Sequence, residues 1–287
     1  MDLDALTTAG TLAVVTATAF LLAAKLWNAL GKLAAGNPFF PNSTMREAAQ
    51  RFRDEFEHLR RKQANYLAAT LVLAIIFLVA FELEAQGLYH GYPHWQLSLL
   101  IAALLATAAC FLYKIGATLL GLRKLRLRRD ANIAIGHQLQ RLAARQGAVF
   151  HDVELAGEVI DHVVVGSSGA YAVHVIARRN RRQRSATLKD EQLSLGDEET
   201  LVLYAASKRA LRLAAALGKL AGNPVTVRSV VAIPGWEIAE QQSQKHLLVN
   251  ERTLPMLSGW KSSSDYLMNE DVVAIQEYLT DAGKRRA

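Results

Sequence analysis

Between residues 158 and 176 the chain reads EVIDHVVVGSSGAYAVHVI. Apolar, β-branched residues dominate both halves, and Gly166-Ser167-Ser168-Gly169 separates them, which predicts two adjacent strands joined by a tight turn. Runs this apolar read as buried strands. A single acidic residue, Asp161, interrupts the first run at its start. A carboxylate placed there needs either a partner or a function.

The flanking sequence supplies the rest of an α/β domain. ANIAIGHQLQRLAARQG puts Ile135, Leu139, Leu142 and Ala143 on one helical face, and the helix is expected to run back through a basic linker into the preceding apolar segment. AVFHDVEL precedes the two strands and predicts a third. The stretch ATLKDEQLSLGDEET is polar, is broken by Gly196, and reads as an exposed hairpin or loop. A second helix is expected over 200–217, stopped by Gly222-Asn223-Pro224. TVRSVVAIPGW reads as a central strand, HLLVN as a fifth, and a closing helix should start near Asn269. The expected fold is α/β with a mixed central sheet, over residues 123–287.

The first 122 residues obey different rules. Residues 5–24 form an uncharged run of 20; at roughly 1.5 Å per helical residue this covers about 30 Å, the thickness of a bilayer core. Asp2 and Asp4 precede it and Lys25 follows it, the reverse of a cleaved leader's basic start. Two further apolar runs predict three transmembrane helices in all, at about 5–25, 65–83 and 96–116. The segment between the first two holds Arg46, Arg51, Arg53, Arg60, Arg61 and Lys62; the exit from the third holds Arg123, Lys124, Arg126, Arg128 and Arg129. By the positive-inside rule both sides face the cytoplasm. The expected placement is a bacterial-type inner membrane, with the N-terminus outside, the C-terminal domain cytoplasmic and the lipid bilayer as a partner. Met45, Ala49, Phe52 and Phe56 recur at helical spacing and predict an amphipathic helix, expected to lie on the anionic inner leaflet rather than on the soluble domain.

Several function classes drop out. The only cysteine, Cys110, lies in the third run, so thiolate metal sites and intramolecular disulfides are excluded. No phosphate-cradling glycine loop, dinucleotide fingerprint or HExxH helix occurs. The net charge is +7, and after the third strand Arg178, Arg179, Arg181, Arg182 and Arg184 fall within seven residues. Such a run suits phosphate, in DNA or RNA or on a lipid surface, and is equally compatible with a solvated loop.

Ile160-Asp161-His162-Val163-Val164-Val165-Gly166, with Gly169 and Tyr171 after it, resembles the NERD (nuclease-related) domain over residues 136–250. The resemblance implies a restriction-endonuclease-like core and metal-assisted phosphodiester hydrolysis, in which an Asp and a Glu hold Mg²⁺ and a Lys orients the attacking water. Asp161 stands at the metal-binding Asp position. His174 falls where the Glu belongs and Ile176 where the Lys belongs; Gly136-His137 stands where the leading helix carries Gly-Glu. Asp161 with His174 is a degenerate catalytic set. Magnesium prefers oxygen ligands, whereas Mn²⁺ or Zn²⁺ would accept that pair. No cofactor is expected, and Mg or Mn only if nuclease activity is retained through relocated residues, for which Glu154, Glu158 and Lys208 are the candidates. The expectation is a membrane-anchored, catalytically degenerate nuclease-related protein acting in nucleic-acid binding or as a scaffold. An active nuclease and a lipid-binding or partner-recruiting module are the alternatives, and self-association through the spans stays open.

Overall fold

A computed structural model describes residue 25 and residues 46–85, 94–144, 147–180, 184–196, 199–258 and 265–284. The chain divides into two compact units: Met1–Phe39 with Phe56–Arg123, and Phe40–Glu55 with Lys124–Ala287.

Two long helices, α1 (Gln50–Ala85) and α2 (His94–Ala143), supply the described part of the first unit. They pack through small and aromatic residues. The Tyr66 and Phe111 ring centroids are 6.5 Å apart, and Lys114 Nζ lies 5.7 Å from the Tyr66 ring. A Cβ at Gly121 would meet Leu59 Cδ2 at 2.9 Å, so the glycine is what lets the helices approach there. Large apolar side chains, among them Leu67, Leu71, Leu105 and Leu112, point outward. Among the described residues one helix, α2 over Ile101–Ala143, is long and apolar enough to cross a membrane. The first expected span, 5–24, lies outside the described residues. The second occupies the C-terminal half of α1, whose N-terminal half, QRFRDEFEHLRRKQ, is strongly charged.

The second unit is built on a five-stranded sheet of order β1-β2-β3-β7-β9: Gly147–Leu155, Glu158–Gly166, Gly169–Val175, Val227–Ala232 and His246–Val249. The first three strands form an antiparallel meander, and β7 and β9 add in parallel. The turn between β2 and β3 closes with Gly166 opposite Gly169. Gly169 has φ +120°, and a Cβ on it would meet the Asp265 carbonyl at 2.9 Å, so only glycine fits.

Helices cover both faces. Helix α3 (Tyr204–Ala221) turns Ala210, Leu213 and Leu217 onto Val163, Val165, Ala170 and Ala172. It ends at Gly222 in the left-handed conformation, φ +70°. On the other face, Ile135 and Leu139 of α2 meet Tyr171, Val173, Val230 and Ala232. The closing helix α4 (Asn269–Lys284) buries Ile275 and Leu279 beside Phe150 and Val153.

The expected exposed hairpin or loop is a hairpin, but a buried one, within a second sheet. β4 (Ser185–Lys189), β5 (Gln192–Leu195) and β6 (Glu199–Val202) pair with β8 (Glu237–Gln242) in the order β6-β5-β4-β8. Ala186, Leu188, Leu193 and Leu195 alternate inward and pack with Ile233, Trp236 and Leu248 into a core of their own. Alternation at period two, hidden among charged neighbours, decided the structure here.

The segment before α1 also departs from expectation. Ala48, Ala49 and Phe52 are buried against the second unit, so this stretch docks on the protein and not on the leaflet. Ala48 sits so close to α2 that a Cβ at Gly136 would lie 2.6 Å from its Cβ.

Candidate functional site

Asp161 projects from β2 toward α3, on the same face as Val163 and Val165. Its side chain is 13% exposed. The Val175 N–H donates to its Oδ2 at 2.9 Å, and its Oδ1 faces Arg51 Nη2 at 3.8 Å. Burial pushes its pKa up to about 6, against the Val175 hydrogen bond and Arg51, which favour the charged form.

A second carboxylate stands across from it. The hairpin turn Ala156-Gly157 pairs Leu155 with Glu158, and the register His151↔His162, Val153↔Ile160 brings Asp152 opposite Asp161. Asp152 is almost fully buried, with φ +48°, and burial raises its pKa. Its Oδ2 accepts the Arg51 backbone N–H at 3.0 Å, and Arg46 Nη1 donates to its carbonyl at 3.2 Å. Asp152 therefore caps the first turn of α1 from the far side of the sequence, satisfying an amide with no partner inside the helix. Arg51 is bound to both acids at once, by its backbone to Asp152 and by its guanidinium to Asp161. The buried Phe52 ring lies 4.6 Å below the Arg51 Cζ and steadies it by a cation–π contact.

The cleft over Asp161 is lined by four arginines, Arg51, Arg128, Arg178 and Arg209, with Ile176 in its wall. No lysine lines it. His174 lies in β3 on the Asp161 face, buried, with both ring nitrogens lacking a partner at hydrogen-bond geometry. Burial, then the nearby Arg209, pulls its pKa down to about 4, so the ring is neutral near pH 7. His246 offers a contrast within the same core: its nitrogens face Ser229 Oγ at 2.9 Å and Ser207 Oγ at 3.0 Å.

The donor set does not fit a nuclease's magnesium. Magnesium requires near-octahedral oxygen coordination. Here Asp161 has one oxygen occupied by an amide and the other facing a guanidinium, Asp152 caps a helix, and the remaining neighbour is an imidazole. Among the described residues no three His, Cys, Asp or Glu side chains gather to hold a metal.

The relocated candidates are placed elsewhere. Glu158 is ringed by cations, Arg212 at 2.6 Å, Arg209 at 3.6 Å and Lys208 at 3.8 Å, which leaves it a counterion rather than a ligand. Lys208 faces Glu158 and does not line the cleft. Glu154 lies in a separate depression with Phe150 and Leu279. His137, in the leading helix, is exposed.

The arginine run divides as well. Arg178 is held by Glu199 in a bidentate pair, Nε to Oε2 and Nη2 to Oε1 both at 2.9 Å, and its carbonyl accepts from Trp236 Nε1 at 3.0 Å. Arg179 is exposed, and Arg181 and Arg182 lie outside the described residues. Asn180 ties the loop shut: its Oδ1 accepts from the Arg184 N–H at 2.9 Å, and its Nδ2 donates to the Arg184 carbonyl at 2.7 Å.

Residues 129–234 match the family model of the nuclease-related domain, NERD. The matched stretch runs from the last turns of α2 through β7. It contains Asp161, His174 and Arg209; Arg51 and Arg128 lie outside the nuclease-related region, so two of the four cleft arginines come from beyond it. No curated protein and no solved structure matches the chain.

Asp152, Arg51, Arg128 and Arg209 escaped the sequence reading. The two-residue turn Ala156-Gly157 was the available signal for Asp152, because it fixes which residue faces Asp161. For Arg51 the sequence offers no signal, since its neighbours in the cleft are about a hundred residues away.

Proposed function

We propose that the protein is a membrane-anchored, catalytically degenerate nuclease-related protein that binds nucleic acid through its phosphate backbone at the cytoplasmic face of an inner membrane. The observation that carries this reading is the lining of the cleft: four arginines share it with Asp161, and although Arg178 is paired with Glu199 and Arg209 lies 3.6 Å from Glu158, Arg51 faces Asp161 where hydrolysis would need carboxylates around a metal. Guanidinium groups match phosphate oxygens in charge and geometry. Ile176 can neither orient nor deprotonate a water. The apolar outward surface of α1 and α2 and the basic segments on either side of them support the membrane placement and its orientation.

The full chain, purified in detergent, is incubated with labelled single- and double-stranded DNA and RNA, with Mg²⁺, Mn²⁺ or EDTA. The expected result is retention in EDTA that weakens steeply with salt, and no cleavage with either metal. Metal-dependent cleavage that disappears in Asp161→Ala overturns the reading in favour of an active nuclease. Retention on anionic vesicles without retention of any nucleic acid overturns it in favour of a lipid-binding module.

A further inference from the structure

Arg51 is anchored more firmly than a surface arginine has reason to be. Its amide is held by Asp152, its guanidinium faces Asp161, and the buried Phe52 ring lies beneath it. Its side chain nonetheless stays 41% exposed and lines the cleft. A positive group with one side on Asp161, its own backbone fixed by Asp152, and its other side open to solvent stands where a cation would neutralise the carboxylate.

We infer that Arg51 is the resident cation of this site: its guanidinium neutralises the Asp161 carboxylate in place of a divalent ion and offers its outer face to a phosphate group of bound nucleic acid. The identity of the ligand rests on the reading given above; the exclusion of metal does not. The two charges are alternatives, because a divalent ion drawn to Asp161 would meet a guanidinium 3.8 Å from Oδ1. Binding through a fixed cation requires no metal, and it leaves no activated water to attack the backbone.

The test uses the full chain in detergent and two probes, Mn²⁺ followed by paramagnetic resonance and a labelled DNA duplex in EDTA. Wild type should hold no Mn²⁺ at a site sensitive to Asp161→Asn. Arg51→Ala should gain such a site, through Asp161 and the neutral His174, and the double variant Arg51→Ala/Asp161→Asn should lose it again. Arg51→Lys, which keeps the charge, should gain none. On DNA, Arg51→Ala should lower the slope of affinity against salt by about one, the signature of one lost phosphate contact.

Stoichiometric Mn²⁺ in wild type that vanishes in Asp161→Asn overturns the inference, as does a folded Arg51→Ala that gains no site. Should Arg51→Ala not fold, Arg51→Gln takes its place, and the wild-type measurement decides by itself. If Mn²⁺ behaves as expected but no variant changes DNA retention, the metal exclusion holds and the nucleic-acid reading falls.

Discussion

The Nδ1 atoms of His151 and His162 lie 2.8 Å apart in the interior, their rings edge to face with centroids 4.9 Å apart. One nitrogen must donate and the other accept. With the Gln140 amide donating to His151 Nε2 at 3.0 Å, His151 carries its proton on Nδ1 and gives it to His162. The arrangement works only with both rings neutral, and burial, first among the causes, brings their pKa values down to about 4 and about 3.

Acid should therefore unfold the domain through this pair. The unfolded chain takes protons at the ordinary 6.5 and the folded chain refuses them, so the pair leaves stability intact above pH 6.5 and withdraws it as pH falls toward 4. Thermal midpoints at pH 5 and 7.5 should differ more in wild type than in His162→Gln. Equal differences in the two proteins would count against the pair as the sensor.

Asp161 works in the opposite direction. Its folded pKa of about 6 lies above the ordinary 3.8, so whatever it contributes is present below 3.8 and lost as pH rises through 6. Asp161→Asn keeps an acceptor for the Val175 N–H and removes a buried charge. At pH 7.5 the variant should be the more stable, by up to about 3 kcal/mol. The advantage should shrink on acidification, and chemical denaturation at pH 7.5 and 4.5 reads both values.

Gly136→Ala places a methyl group 2.6 Å from Ala48 Cβ and 3.4 Å from His162 Cε1. The helix backbone itself favours alanine, so any loss comes from the clash. A destabilisation of about 1–3 kcal/mol is expected, together with faster proteolysis at the 46–52 segment. Unchanged or increased stability would show that the segment yields without cost.

Leu193→Ala tests the second sheet. Leu193 is fully buried among Leu188, Ile233 and Trp236. Truncation should cost about 2–5 kcal/mol and loosen the strap that bears Glu199, the partner of Arg178. An exposed loop, as the charged neighbours suggested, would show a change near zero in the same denaturation measurement.

What the sequence revealed and what it hid divide along a physical line. Strongly apolar strands, the Gly169 turn and the Gly222 stop are local signals, and β1, β2, β3, β7, β9 and the helices around them follow from them. The second sheet was missed because Leu188, Leu193 and Leu195 alternate with polar residues over strands of four or five positions, too short to stand out. At the site, Asp161 was legible as an acid in an apolar run. Its surroundings were not, because Arg51, Arg128 and Arg209 come to its cleft from three separate helical segments.

The cap that Asp152 provides for α1 joins residues 101 positions apart, and Asp152 is the later of the two to leave the ribosome. The first turn of α1 thus has no partner while the chain up to β1 is being made, and Arg51 has no acid to face. The cap on that turn must wait until β1 exists. Until then Arg46 and Arg51 lack the Asp152 and Asp161 groups that they meet in the folded domain.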